Sequence, residues 1–289
     1  MKKWGFLLCI ILVGYIVTQS TAALQQKEGV PIVILDTDEK YRGYHEATTQ
    51  DMKQQIHKGN LVLVNSKHPI HPEGIRSDVV YVADEEDLLQ GYGIMDQTLM
   101  LSREVTAKFQ KMVEAAGKEG VRYFLMSSGY RDFEKQDELY RQKGSDYALP
   151  AGYSEHNLGL SLDIGSSLAA MSEAPEGAWL EKNAWRYGFI LRYPKDKVNV
   201  TGIQYEPWHF RYVGMPHSAV MYKNHMVLEE YLEMLREKKD VSVDLDGVTY
   251  DIHYYQVSQD AKIYLPENDA YDISGDNMQG VIVTVEKSS

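Results

Sequence analysis

The sequence predicts an α+β fold, with helices packed around a small antiparallel sheet and a small β module at the C-terminal end. Three observations predict it. Residues 102–236 alternate helix-period segments with short apolar runs of strand length. From about residue 240 onward only two-residue periodicity appears, broken by turn residues. Finally, 289 residues at 44% hydrophobic content are ample for a buried core and suit one or two domains.

The N-terminus reads Met1-Lys2-Lys3, followed by a strongly apolar run from Trp4 to Val17. As a helix that run would extend ~21 Å at ~1.5 Å per residue, short of a hydrocarbon core of ~30 Å. Small residues follow, and Thr21-Ala22-Ala23 fits a cleavage site. Residues 1–23 therefore read either as a signal peptide or as an uncleaved membrane anchor extending to about Leu24. Both send the rest of the chain across the cytoplasmic membrane, with Lys2 and Lys3 inside. The single cysteine, Cys9, lies within this run, so the remainder has neither a disulfide framework nor a thiol ligand.

Residues 24–59 read as a linker or lead-in with a short β-type run at Val30–Leu35. Leu61–Val64 is a short buried strand. Ser102 caps a helix reaching toward Gly120, with Val105, Phe109, Met112, Val113 and Ala116 on one face. The strand Tyr123–Met126 runs into Ser127-Ser128-Gly129-Tyr130-Arg131. Asp132 then caps a helix over Phe133–Lys143, which Gly144 stops. Pro150 and Gly152 mark a loop. Leu160, Leu162 and Ile164 alternate on one face of a strand, leaving Asp163 on the other. A helix from Pro175 to Tyr187 stops at Gly188. Phe189–Tyr193 and Ile203–Tyr212 read as strands, and His217–Arg236 as one helix. Beyond Lys239, Val241, Val243 and Leu245 alternate, Asp246-Gly247 turns the chain, and Val248, Tyr250, Ile252 and Tyr254 alternate back. The units expected are thus 1–23, 24–59, 60–238 and 239–289, the last without an obvious catalytic group.

Formal net charge is −12, which argues against nucleic-acid binding, a function that relies on basic surface. Chemistry concentrates in two segments about forty residues apart. One is Ser154-Glu155-His156-Asn157-Leu158-Gly159-Leu160-Ser161-Leu162-Asp163; the other is Glu206-Pro207-Trp208-His209-Phe210-Arg211-Tyr212. Together they contain two histidines, an aspartate and a further glutamate. Three N/O ligands, an open fourth position and a carboxylate base make up the inventory of a catalytic zinc site. Taken singly, His156 and Asp163 would pass for a hydrogen-bonded structural pair. His68 and His71, or His217 and His225, fit loop and helix-packing roles. No Ser-x-x-Lys occurs, so a serine acyl-enzyme mechanism of the penicillin-binding type is absent.

These segments, with Ser-Gly-Tyr-Arg upstream, resemble the zinc D-alanyl-D-alanine carboxypeptidases of the VanY type. The wider family includes VanX dipeptidases and L,D-carboxypeptidases of the LdcB and DacB kind. The resemblance covers roughly residues 61–235, and the C-terminal module resembles the tail of VanY-type proteins. It implies a zinc cleft in which His156, Asp163 and His209 are ligands, Glu206 is the base and Arg131 faces the transition state. It further implies substrate contacts from Gln136 and Ser154, with Trp208 walling the pocket. The expected substrate is a peptidoglycan stem peptide or lipid-linked precursor ending in D-Ala-D-Ala, whose trimming supports vancomycin resistance. An L,D-carboxypeptidase acting on tetrapeptide stems is the nearest alternative. A non-catalytic wall-binding protein is the alternative of another class.

Overall fold

A computed structural model of the chain describes residues 29–35, 40–144, 149–257 and 262–287. The apolar run, Cys9 and the cleavage pattern lie outside these residues. Among the described residues no helix is long and apolar enough to cross a membrane.

The site is built on a five-stranded sheet. Its spatial order is Gly93–Ile94, Phe124–Ser128, Ser161–Ser166, His209–Tyr212 and Phe189–Leu191. All neighbours are antiparallel except Gly93–Ile94, which runs parallel to Phe124–Ser128. Leu160, Leu162 and Ile164 are fully buried in the main core with Phe109, Met112, Phe124 and Phe210. Asp163, between two of these inward residues, points to the opposite face, as period two requires.

The helix Arg103–Lys118 closes that core with Val105, Phe109, Met112, Val113 and Ala116, all buried as their spacing predicts. Its cap is Ser102, whose Oγ accepts from Val105 N and donates to Asp78 Oδ2. Fully burying a side chain as large as Phe109 contributes about 1.5–3 kcal/mol, so this one face anchors the helix. The helix Phe133–Lys143 also matches its signals, with Asp132 accepting from Lys135 N and Gly144 ending it.

Four local readings need correction. The helix beginning at Pro175 tightens to 3-10 geometry at Ala184–Tyr187 before Gly188 ends it. Ile203–Tyr212 is strand only over His209–Tyr212. Pro207 has no N–H for a ladder, and residues 206–209 turn instead, with His209 N donating to Glu206 O. The single helix expected over His217–Arg236 is two, His217–Lys223 and Leu228–Lys238. The break falls at Asn224 and His225, the latter with φ 55°. Leu61–Val64 is buried as expected but joins no sheet; Leu61 N donates to Ser274 Oγ and Leu63 N to Asp276 O.

The lead-in is not a spacer over its described part. Val33–Ile34 adds an edge strand to the C-terminal sheet, and Tyr44–Ala47 pairs with Ile263–Pro266. That sheet runs Val33–Ile34, Asp240–Leu245, Val248–Gln256, Gly280–Glu286, Ala270–Gly275, antiparallel throughout. The Asp246-Gly247 turn joins its second and third strands with Leu245 opposite Val248. Val241, Val243, Ile252 and Ile282 pack with Leu228, Tyr231, Leu232 and Leu235, so the helix Leu228–Lys238 is the seam between sheet and site-bearing part.

Candidate functional site

Two neighbouring strands bring the first pair of candidate ligands together. Asp163 and His209 are direct cross-strand partners, which puts their Cβ atoms about 4.5–5.5 Å apart. His209 Nδ1 lies 3.0 Å from Asp163 Oδ1. The third candidate arrives on a loop. His156 sits in the 3-10 turn Glu155–Asn157, and its Nε2 is 3.4 Å from the same Asp163 oxygen. The two imidazoles meet nearly edge-on at 84°, centroids 4.9 Å apart.

Backbone chemistry fixes the turn. Arg131 N donates to His156 O, and Asn157 Nδ2 donates to Arg131 O at 2.7 Å. His156 Nδ1 lies 2.6 Å from Gly129 O. Gly129 allows this close layering, since a Cβ there would come 2.2 Å from Met100 O. Gly159, at φ +81°, then swings the chain from the turn into the strand that carries Asp163.

The three ligand atoms all lie within 4.8 Å of one another. A tetrahedral ion with arms of ~2.1 Å needs ligand atoms roughly 3.4 Å apart, so the 3.0 and 3.4 Å separations fit a small divalent metal. A donor set of two imidazoles and one carboxylate suits zinc. Each ring also has its other nitrogen turned away from Asp163. His156 Nδ1 faces the Gly129 carbonyl, and His209 Nε2 faces Glu155 Oε2 at 3.5 Å. Such outer partners set the tautomer and aim of ligating histidines.

Without metal the cluster is strongly polarised. Burial, reinforced by the Arg131 charge, lowers His156 to about 4, so it is neutral and ready to ligate. Burial also works to lower His209, but hydrogen bonds to Asp163 and Glu155 outweigh it and raise the ring to about 9. Asp163 is held far below the ordinary carboxylate range: burial opposes this, and the two histidines overcome it.

Two further expected residues join the cluster. Glu206 Oε2 is 3.8 Å from His209 Nδ1, brought round by the turn at Pro207 and held by Glu206 N donating to Tyr193 O. Burial raises its pKa. Arg131 feels the charges of Asp163 and Glu206; its Nε is buried with no protein partner, and burial lowers its pKa. Trp208 lies between Glu206 and His209, 41% exposed, with its carbonyl accepting from Ile164 N. Gln136 and Ser154 are engaged otherwise. Gln136 is buried and its Nε2 ties the helix Phe133–Lys143 to Leu149 O, leaving Oε1 unpartnered. Ser154 Oγ accepts from His156 N and so caps the turn.

Sequence reasoning missed what stands behind His209. Glu155 is 2% exposed and lies against two arginines that are fully buried. Its Oε1 is 2.8 Å from Arg192 Nε and 2.9 Å from Arg211 Nη1, while Oε2 accepts from Ser161 Oγ. Arg192 then forks onto both oxygens of Glu229 at 2.7 and 2.9 Å. Arg211 donates to the carbonyls of Asn60 and Val62. Burial alone would raise the Glu155 pKa, but Arg192 and Arg211 hold it well below the usual range. The signal in the sequence was charge inside apolar runs: Arg192 follows Phe189–Leu191, and Arg211 sits between Phe210 and Tyr212.

Comparison with known proteins agrees with this geometry. Residues 98–215 match the family model VanY: D-alanyl-D-alanine carboxypeptidase. A D-alanyl-D-alanine carboxypeptidase of Enterococcus faecium is 48% identical over 292 residues, covering 99% of this chain and 96% of that one. Among solved structures, the vancomycin-resistance D,D-dipeptidase VanXYg, in complex with a D-Ala-D-Ala phosphinate analogue, superposes with a TM-score of 0.69. It is 31% identical, covering 84% of this chain and 98% of its own. A mutant of the D,D-pentapeptidase VanY from a VanB-type resistance cassette, in complex with Zn(II), gives 0.50 at 32% identity. It covers 60% of this chain and 98% of its own.

Proposed function

The chain belongs to the VanY family of D-alanyl-D-alanine carboxypeptidases, and on that footing we propose that it is a zinc-dependent D,D-carboxypeptidase removing the terminal D-Ala from peptidoglycan stem peptides or their precursors. One observation carries the reading. His156, Asp163 and His209 converge on one point, with Glu206 3.8 Å from His209 Nδ1 and the Arg131 charge close by.

In this reading His156 Nε2, Asp163 Oδ1 and His209 Nδ1 hold the metal. A bound zinc ion supplies Lewis acidity and lowers the pKa of water to ~7. Glu206 accepts the proton of the attacking water and returns it to the leaving amine. Arg131 donates to the oxygen that becomes negative as the carbonyl is attacked. Its guanidinium is already desolvated, so it needs no reorganisation. Trp208, exposed between the base and a ligand, walls the substrate channel. The Ser154 hydroxyl accepts from His156 N and keeps its O–H to donate, whereas Gln136 Nε2 is committed to Leu149 O.

Loss of the last D-Ala removes the stem end that glycopeptide antibiotics bind, which connects the reaction to vancomycin resistance. We place the active domain outside the cytoplasmic membrane, tethered or released there. The basic-then-apolar pattern at the N-terminus supports this. Cell fractionation with N-terminal sequencing of the mature protein tests it. The reaction is tested by incubating purified protein with a stem pentapeptide ending in D-Ala-D-Ala, with and without chelator. Release of one D-Ala only in the presence of metal is expected. Cleavage of the tetrapeptide alone would instead indicate L,D specificity.

A further inference from the structure

One cavity among the described residues lies away from His209. It measures about 540 Å³ and opens at the far end of the same strand, at Tyr212, roughly 10 Å along the backbone from His209. Its walls come from the helix Arg103–Lys118, the 3-10 turn Ala184–Tyr187, the Gly59–Leu61 segment and the C-terminal sheet.

Its charge runs against that of the chain. Lys108, Lys111, Arg186 and Arg76 line it against only two carboxylates, Glu104 and Asp272, in a protein of net charge −12. Glu104 is already taken by Arg76 Nη2 at 2.7 Å. Lys108 and Lys111 have no ion-pair partner among the described residues. They are three apart on one helix, so their like charges lie side by side. Arg186 stacks its guanidinium over the Trp185 ring at 4.4 Å, which aims it without neutralising it.

From this we infer that the cavity is a second binding site, for a phosphate-bearing ligand. Two point-charge lysines and an arginine suit the charged, tetrahedrally spread oxygens of a phosphate better than a planar carboxylate. Two sources in a cell wall share this chemistry: the phosphate-linked sugar of a precursor and the phosphodiester of a wall polymer.

The test is isothermal titration of the full chain at constant ionic strength with N-acetylglucosamine 1-phosphate, a glycerol phosphate trimer, inorganic phosphate and acetate. It does not depend on hydrolysis, so it stands or falls separately from the D,D-carboxypeptidase reading. Saturable 1:1 binding of a phosphorylated probe is expected, weakened about tenfold or more in Lys108→Gln/Lys111→Gln and in Arg186→Gln. Circular dichroism confirms that the variants are folded. The tighter of the two organic phosphates identifies the source. The inference is overturned if acetate binds as well as the phosphates, if no probe saturates at millimolar concentration, or if folded variants bind as the parent does.

Discussion

Replacing Glu155 by Gln probes the buried network behind His209 with almost no change of volume. Arg192, Arg211, Glu155 and Glu229 together are neutral, and both arginines are fully buried. The substitution leaves one uncompensated positive charge in that interior. Breaking a buried pair of this kind costs about 3–5 kcal/mol, against about 5–15 kcal/mol for the stability of a typical domain. It also takes away the carboxylate that faces His209 Nε2 from 3.5 Å, and loss of such an outer partner weakens metal binding about 10–100-fold. Urea unfolding gives the first quantity. Zinc competition against a chromogenic chelator, well below the unfolding transition, gives the second. Glu229→Gln separates the two effects, because it unpairs Arg192 from the side away from His209. It should destabilise the protein while leaving zinc affinity within about twofold of the parent. Equal loss of zinc affinity in both variants, or parent-like affinity in Glu155→Gln, would refute a role for Glu155 in aiming His209.

Other outcomes follow from the same geometry. Glu206→Gln should lower kcat by about 10²–10⁴ while keeping its metal, whereas His156→Ala should lose the metal, as measured by atomic absorption. In the metal-free site, burial raises the Glu206 pKa. A raised folded-state pKa means ionised Glu206 costs stability as pH rises through it. Metal-free Glu206→Gln should therefore be more stable than the metal-free parent at neutral pH, by denaturant midpoint. Arg131→Ala should reduce kcat about 10²–10³-fold with little change in zinc content. In the metal-free protein His209 is raised to about 9, hence protonated at neutral pH, and must lose that proton to ligate. Zinc uptake at pH 7.5 should thus release the His209 proton, by calorimetry in buffers of different ionisation enthalpy, and the proton count should fall by about one above about pH 9.

Much of this protein could be read from its residues in order. Ser102 and Asp132 as caps, the inward face of Arg103–Lys118, the Asp246-Gly247 hairpin and Asp163 opposite Leu162 and Ile164 are all local matters. They depend on hydrogen bonds and side-chain periods spanning a few residues, which a sequence displays directly. Residue type and spacing likewise singled out His156, Asp163, His209, Glu206 and Arg131, because few side chains can hold a metal or move a proton.

Tertiary structure alone decided the rest, since it turns on partners far apart in the chain. Glu155 looks like an ordinary exposed glutamate until Arg192 and Arg211 close on it from 37 and 56 positions away. Val33–Ile34 and Tyr44–Ala47 looked like a spacer until strands more than 200 residues later paired with them. Lys108 and Lys111 share one helix face, and only the fold sets the C-terminal sheet opposite them as the other wall of a cavity. Residue type and spacing alone limit which chemistry this chain can carry out. Burial and the partners it confines together set the charge states of the site, and both exist only once distant segments exclude water together.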